Sequence, residues 1–81
     1  MQNSNWPIID NKLSKTFKFK DFREAFAFMT AVAKISEDQH HHPDWSNSYN
    51  VVTITLCTHD EDDKITDKDH RLAVAIDSLG T

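Results

Sequence analysis

The spacing of apolar residues changes period at Asp21, and that change constrains the fold of this chain more than any other feature. Before it, Leu13, Lys15, Phe17 and Phe19 alternate with Ser14, Thr16, Lys18 and Lys20. This period-2 pattern predicts a strand with one aromatic face turned inward. After it, Phe22, Ala25, Phe26, Met29, Val32 and Ala33 recur at helical spacing, which predicts a helix over 22–38 with that stripe in the core. Asp21 marks the boundary as an N-cap, with Glu24 as its capping-box partner. The same change recurs further on. Over 50–58, Val52, Ile54 and Leu56 line one face and Val51, Thr53, Thr55 and Cys57 the other, the clearest strand of the chain. Thr66 with Asp69 then caps a last helix, whose buried stripe is Leu72, Ala73, Ile76 and Leu79, with Gly80 past its end.

Shorter segments complete the pattern. Trp6 to Ile9 is an apolar run hairpinned to the first long strand through the turn-prone pair Asp10-Asn11. Pro43 interrupts anything helical, Asp44 to Ser48 is a short strand or a turn, and 60–64 is an acidic loop. The order is strand, strand, helix, strand, strand, helix. It predicts an α+β fold of two layers, an antiparallel sheet with helices on one face. Eighty-one residues make a single domain over 1–81, with 1–5 loose. So short a chain leaves much apolar surface outside, and association between copies is a natural way to bury more.

Composition removes several classes of function. Gly80 is the one glycine, so no glycine loop cradles a phosphate. The one cysteine, Cys57, argues against an internal disulfide framework and a cysteine-based zinc site. Nine Lys+Arg against thirteen Asp+Glu, a net charge of −4, argues against a nucleic-acid surface. No run approaches the ~20 apolar residues that cross a bilayer, and 1–11 lacks the features of a secretory signal. The expectation is a small cytoplasmic domain with neither nucleic-acid nor membrane partner.

The chemistry lies in the histidines. His40, His41 and His42 follow the first helix and His59 ends the main strand; element ends can hold side chains at a shared opening. Such imidazoles suit proton transfer near neutral pH or metal binding, and the bland alternative is a solvated loop. A zinc site would draw on His41, His42 and His59 with Glu37 or Asp60. Adjacent side chains on extended backbone point to opposite faces, however, and the i, i+4 spacing of H-E-x-x-H is missing. His70, beside Asp69, reads as an exposed structural residue. Cys57 reads as a small buried residue rather than a nucleophile, and Glu61, Asp62 and Asp63 as a solvated loop without the glycine a calcium loop needs.

Glu37, His41-His42-Pro43, Tyr49, His59 within Thr58-His59-Asp60, and Asp69 within Thr66-Asp67-Lys68-Asp69 stand at spacings that resemble the motif of the pterin-4a-carbinolamine dehydratases. Phe17-Lys18-Phe19-Lys20-Asp21-Phe22 leading into Ala25-Phe26-Ala27-Phe28-Met29, and Trp45 after the His-His-Pro, extend the likeness over nearly the whole chain, from about Trp6 to Leu79. The resemblance implies a dehydratase needing neither metal nor cofactor. Its substrate is a 4a-hydroxy-tetrahydropterin, tetrahydrobiopterin spent by an aromatic amino acid hydroxylase, and its product the quinonoid dihydropterin that is recycled by reduction. By the same resemblance His41 and His59 form the acid–base pair, and His42 positions the pterin and assists. Glu37 orients an imidazole or shifts its pKa, Pro43 fixes the backbone after His42, and the pterin edge meets backbone at His40 and at Cys57, Thr58, His59 and Asp60. Tyr49 and Trp45 are expected in packing, and Asp69 as a structural or helix-capping carboxylate. The family assembles as homodimers or homotetramers. Departures are the glycine-free 60–65 loop, His40 where Asp or Asn is common, and the lack of a full helix before the first strand. Two rival readings keep the fold: a non-catalytic module acting as dimerization cofactor of a transcription factor, and a small metal-binding protein.

Overall fold

The computed structural model describes residues 4–79. It contains β1 (Ile8–Ile9), β2 (Lys12–Lys18), α1 (Phe22–Gln39), β3 (Asp44–Ser48), β4 (Val51–Leu56) and α2 (Asp67–Asp77), with a 3-10 turn at His59–Glu61. The four strands form one antiparallel sheet in the order β1-β2-β4-β3, the α+β architecture expected from the sequence. Asp44 to Ser48 is a strand, pairing in register from Asp44↔Thr55 to Ser48↔Val51.

Both hairpins turn without glycine. Asp10 and Asn11 adopt φ of 53° and 64°, the left-handed pair of a tight two-residue turn whose twist matches the flanking strands. Tyr49, at φ 51°, opens the β3–β4 turn, and the Asn47 side-chain amide donates to the carbonyls of Tyr49 (3.1 Å) and Val51 (3.0 Å). The helix starts follow the sequence closely. Asp21 accepts the Glu24 N–H at 3.0 Å, while the Glu24 carboxylate accepts the N–H of Lys20, one residue before the cap, at 3.0 Å. At α2 the Thr66–Asp69 capping box is complete.

The core lies between the sheet and the two helices. Leu13, Phe17, Val52, Ile54 and Leu56 from the sheet meet Ala25, Phe28 and Val32 of α1 and Leu72, Ala73 and Ile76 of α2. Trp6 closes one end, buried against Phe17 edge-to-face, and its indole N–H donates to Asp77 at 3.1 Å. Lys15, on the inward-facing set of β2, keeps its stem inside and carries its ammonium over the Trp6 and Phe17 rings to Asp77, 2.9 Å away.

Three expectations are corrected. The buried stripe of α1 is Ala25, Phe28, Val32 and Ser36. Phe22 and Phe26 are 47% and 56% exposed, and Ala33 is exposed as well. At about 100° per residue they lie to one side of that stripe; the helix carries apolar residues over a wide arc, and the sheet covers only one sector of it. Met29 is half-buried against the core. Leu79 falls beyond α2 and is exposed; the place expected for Gly80 lies outside the described residues. Of the N-terminal residues expected to be loose, 1–3 lie outside the described residues, whereas Ser4 is tied by its N–H and hydroxyl to His70 Nδ1, each at 3.1 Å. His70 is accordingly half-buried rather than exposed.

The rotated stripe makes an unequal pair of substitutions. Phe28→Ala should cost about 3–5 kcal/mol by opening a cavity, and Phe26→Ala should stay within about 0.5 kcal/mol as a surface change. Urea unfolding of both variants checks the difference; equal losses would return Phe26 to the core.

Candidate active site

The site is assembled where α1, β4 and α2 end or begin. With no glycine available, α1 stops at His40, which takes the left-handed conformation at φ 53° and donates its N–H to the Glu37 carbonyl (3.2 Å). The His41 N–H reaches the Ser36 carbonyl at 3.1 Å, so the helix end is satisfied before Pro43 is met. The two following imidazoles part company. His41 turns inward, its side chain 11% exposed, with Nε2 2.6 Å from Asp69 Oδ1. His42 turns outward and bonds the Glu37 carboxylate one helical turn back.

Asp69 is fully buried. Its Oδ2 accepts the Thr66 N–H and the Thr58 hydroxyl, both at 2.8 Å, and Thr58 and Thr66 share a further hydroxyl contact of 2.6 Å. It is the helix-capping carboxylate expected from the sequence, and it also anchors His41. A carboxylate accepts and does not donate, so His41 presents Nε2–H to Asp69.

His59 opens the 3-10 turn after β4 and is exposed. Its Nδ1 lies 2.7 Å from Asp63 Oδ1 and its Nε2 3.6 Å from Asp44 Oδ2. The hydrogen bond to Asp63 is the main cause that lifts the His59 pKa above the ordinary histidine value, helped by the Asp44 and Asp63 charges and opposed by desolvation and by Lys12. The glycine-free loop is thereby explained. Asp62 and Asp63 both take φ of 58°, the conformation a glycine would adopt, and the loop is closed by the Thr58 N–H to Lys64 carbonyl bond at 2.8 Å. Expected as wholly solvated, it gives one carboxylate, Asp63, to a histidine.

A cleft of about 190 Å³ is lined by His40, His41, His42, Thr58, His59, Asp60 and Lys68. It is smaller than the ~300–1,000 Å³ typical of drug-sized ligands. Six of these seven were candidates from sequence; Lys68 was not. Cys57 is buried just behind the cleft, with Sγ 4.0 Å from His59 Nδ1, and burial pushes its thiol pKa up. Glu37 and Pro43 lie outside the lining, Glu37 as the partner of His42. The sequence also missed Asp44 and Asp63 as partners of His59 and Asp69 as partner of His41. Only Asp69 carried a signal, its capping-box spacing from Thr66. Trp45 packs against the core as expected, whereas Tyr49 is 64% exposed in a turn and packs little. The metal donors proposed from sequence do not converge; among the described residues the donors brought together are Asp44, Cys57 and His59.

The fold and this cleft define a small α+β domain with a histidine-lined cleft. The family model described as pterin 4 alpha carbinolamine dehydratase matches residues 1–79, and the chain belongs to the pterin-4a-carbinolamine dehydratase family. A relative from Prochlorococcus marinus (strain NATL2A) is 56% identical over 79 residues, 96% of this chain and 81% of its own, and one from Rhodospirillum rubrum is 52% identical over 77 residues, 93% and 79%. Both carry the name pterin-4-alpha-carbinolamine dehydratase provisionally. The crystal structure of a transcriptional coactivator/pterin dehydratase from Brucella melitensis superposes with a TM-score of 0.89 at 37% identity, covering 98% of this chain and 85% of that one. Among the described residues no helix is long and apolar enough to cross a membrane.

Two measurements test the partners. In Asp63→Asn the His59 pKa should fall back toward its ordinary value, read by NMR titration of the ring protons; an unmoved value would remove Asp63 as the cause. The sign for stability follows. The raised pKa stabilises the fold at pH below the ordinary value of 6.5, and that contribution is lost as pH rises through the folded-state value. Asp69→Asn, which leaves at least one buried partner unsatisfied, should cost about 1–3 kcal/mol in urea unfolding; an unchanged midpoint would contradict the anchoring role.

Proposed function

We propose that this chain dehydrates a 4a-hydroxy-tetrahydropterin to the quinonoid dihydropterin by histidine acid–base catalysis. The observation that carries the reading is the unequal pairing of two imidazoles on one cleft: His41 anchored inward to buried Asp69, His59 exposed with its pKa raised by Asp63. Eliminating water requires a proton for the departing 4a-oxygen and removal of a proton from a ring nitrogen. His59, which holds its proton to higher pH, delivers the first as the C–O bond breaks. His41, with Nε2–H committed to Asp69, receives the second at Nδ1. A positioned acid and base of this kind contribute roughly 10²–10⁴-fold each. His42, steadied by Glu37, positions the ring. Backbone groups at His40 and from Cys57 to Asp60 meet the pterin's amide edge, and Lys68 adds a cation to the rim. The reaction asks for no metal or cofactor, since proton transfer alone carries it.

In this reading the protein works in the cytoplasm, restoring the pterin of an aromatic amino acid hydroxylase to a form that can be reduced. It works as a homodimer or homotetramer, supported by the β3 edge and by the exposed Phe22, Phe26 and Tyr49. The Brucella protein, described as a coactivator as well as a pterin dehydratase, favours a second reading, a module that assists a transcription factor. Pull-down with wild type and with a folded, inactive His59 variant separates the two.

The direct test is the dehydration rate of freshly generated 4a-hydroxy-tetrahydropterin with chelator present. Wild type should far exceed buffer, and His41→Ala and His59→Ala should each lose about 10²-fold or more while remaining folded. Near-normal rates in both folded variants would overturn the assigned roles.

A further inference from the structure

We infer that Asp44, Cys57 and His59 form a binding site for a thiophilic divalent cation, Zn²⁺ foremost, whose occupation withdraws His59 from proton transfer. A carboxylate oxygen, a thiol sulfur and a ring nitrogen from these residues lie within 4.8 Å of one another. In a tetrahedral zinc site with bonds of about 2.0–2.3 Å the donors stand roughly 3.3–3.6 Å apart. His59 Nε2 and Asp44 Oδ2 are already 3.6 Å apart, and Cys57 Sγ lies 4.0 Å from Nδ1 of the same ring. A contraction of up to about 1.5 Å completes three of four positions, leaving one for water.

The scaffold suits the task. Asp44 pairs with Thr55 across β3 and β4, so Cys57, two residues further, is its diagonal neighbour. His59 follows on the turn held by the Thr58–Lys64 backbone bond. Asp63 accepts from Nδ1 at 2.7 Å, which leaves Nε2 as the metal donor and supplies the carboxylate behind a ligating histidine that orients such rings. The thiol loses its proton to solvent on binding and becomes a thiolate, a ligand that selects zinc over magnesium or calcium. The combination uses the cysteine that the sequence argues against as a zinc ligand, and differs from the histidine set with Glu37 or Asp60 weighed there.

The binding claim stands on geometry alone; the inhibition claim rests on the catalytic reading of His59. Titration of the 81-residue chain with Co²⁺ in place of Zn²⁺ tests the first. Expected are saturation at one equivalent, a thiolate-to-cobalt charge-transfer band, displacement by Zn²⁺ but not by excess Mg²⁺, and loss of the band in Cys57→Ala. Asp44→Asn and His59→Ala, both surface changes, should each weaken binding at least tenfold, and His41→Ala should not. Absence of the band in folded wild type, indifference to Asp44→Asn and His59→Ala, or a requirement for His41 would overturn the site. Inhibition is read separately. One equivalent of Zn²⁺ should slow dehydration at least tenfold and chelator restore it, while an unslowed rate with the site saturated would overturn that half. An enzyme inactive from the outset would count against the catalytic reading and leave the cobalt result to decide the site.

Discussion

The buried carboxylate of Asp69 is the constraint on which the remaining geometry depends. A group of this kind cannot be left in the interior without partners, since the cost of stripping it of water is several kcal/mol. Its partners come from three separate segments: the Thr66 N–H at the start of α2, the Thr58 hydroxyl after β4, and the His41 ring after α1. Meeting that demand fixes where α2 begins against the end of β4, and holds the segment after α1 against both. The apolar stripe of α2, from Leu72 to Ile76, then falls onto the sheet. The positive end of the helix adds to the stabilisation of the carboxylate. One polar demand thus positions both a helix and a histidine.

The three motif histidines differ because their carboxylate partners differ. His41 is held by a carboxylate excluded from water, His42 by Glu37 and His59 by Asp63 near solvent. A partner in the low-dielectric interior fixes tautomer and direction strongly. Partners at the surface are screened and hold their rings less firmly. Neighbouring residues of one chemical type thereby acquire unlike surroundings, the condition under which an acid and a base can work side by side.

Scarcity of glycine shapes the same region. Among the described residues the left-handed positions are Asp10, Asn11, His40, Tyr49, Asp62 and Asp63, four of them Asp or Asn, the side chains that best tolerate the conformation. His40 and Asp63 are the informative cases. Each stands where a strained residue is kept by the structure around it, and each borders the cleft or holds one of its histidines. A glycine at position 63 would turn the chain as well and would offer His59 no carboxylate.

Local pattern determined the elements, their order and both helix starts, because period, capping residues and turn-prone pairs act over a few residues. Asp21 with Glu24 and Thr66 with Asp69 could be read directly, the histidines stood out at element ends, and Thr58 and Asp60 entered as pterin contacts only through the family resemblance. Which sector of α1 is buried was decided by the sheet. Periodicity puts Phe26 in the buried stripe and leaves out Phe28, and only the packed layer shows the reverse. Likewise Asp44, Asp63 and Lys68 carry no local mark of their neighbours. Asp69 and His41 are 28 residues apart, and no short-range pattern joins them. Their contact exists because a carboxylate capping α2 had to be buried, and the fold brought an imidazole within reach of it.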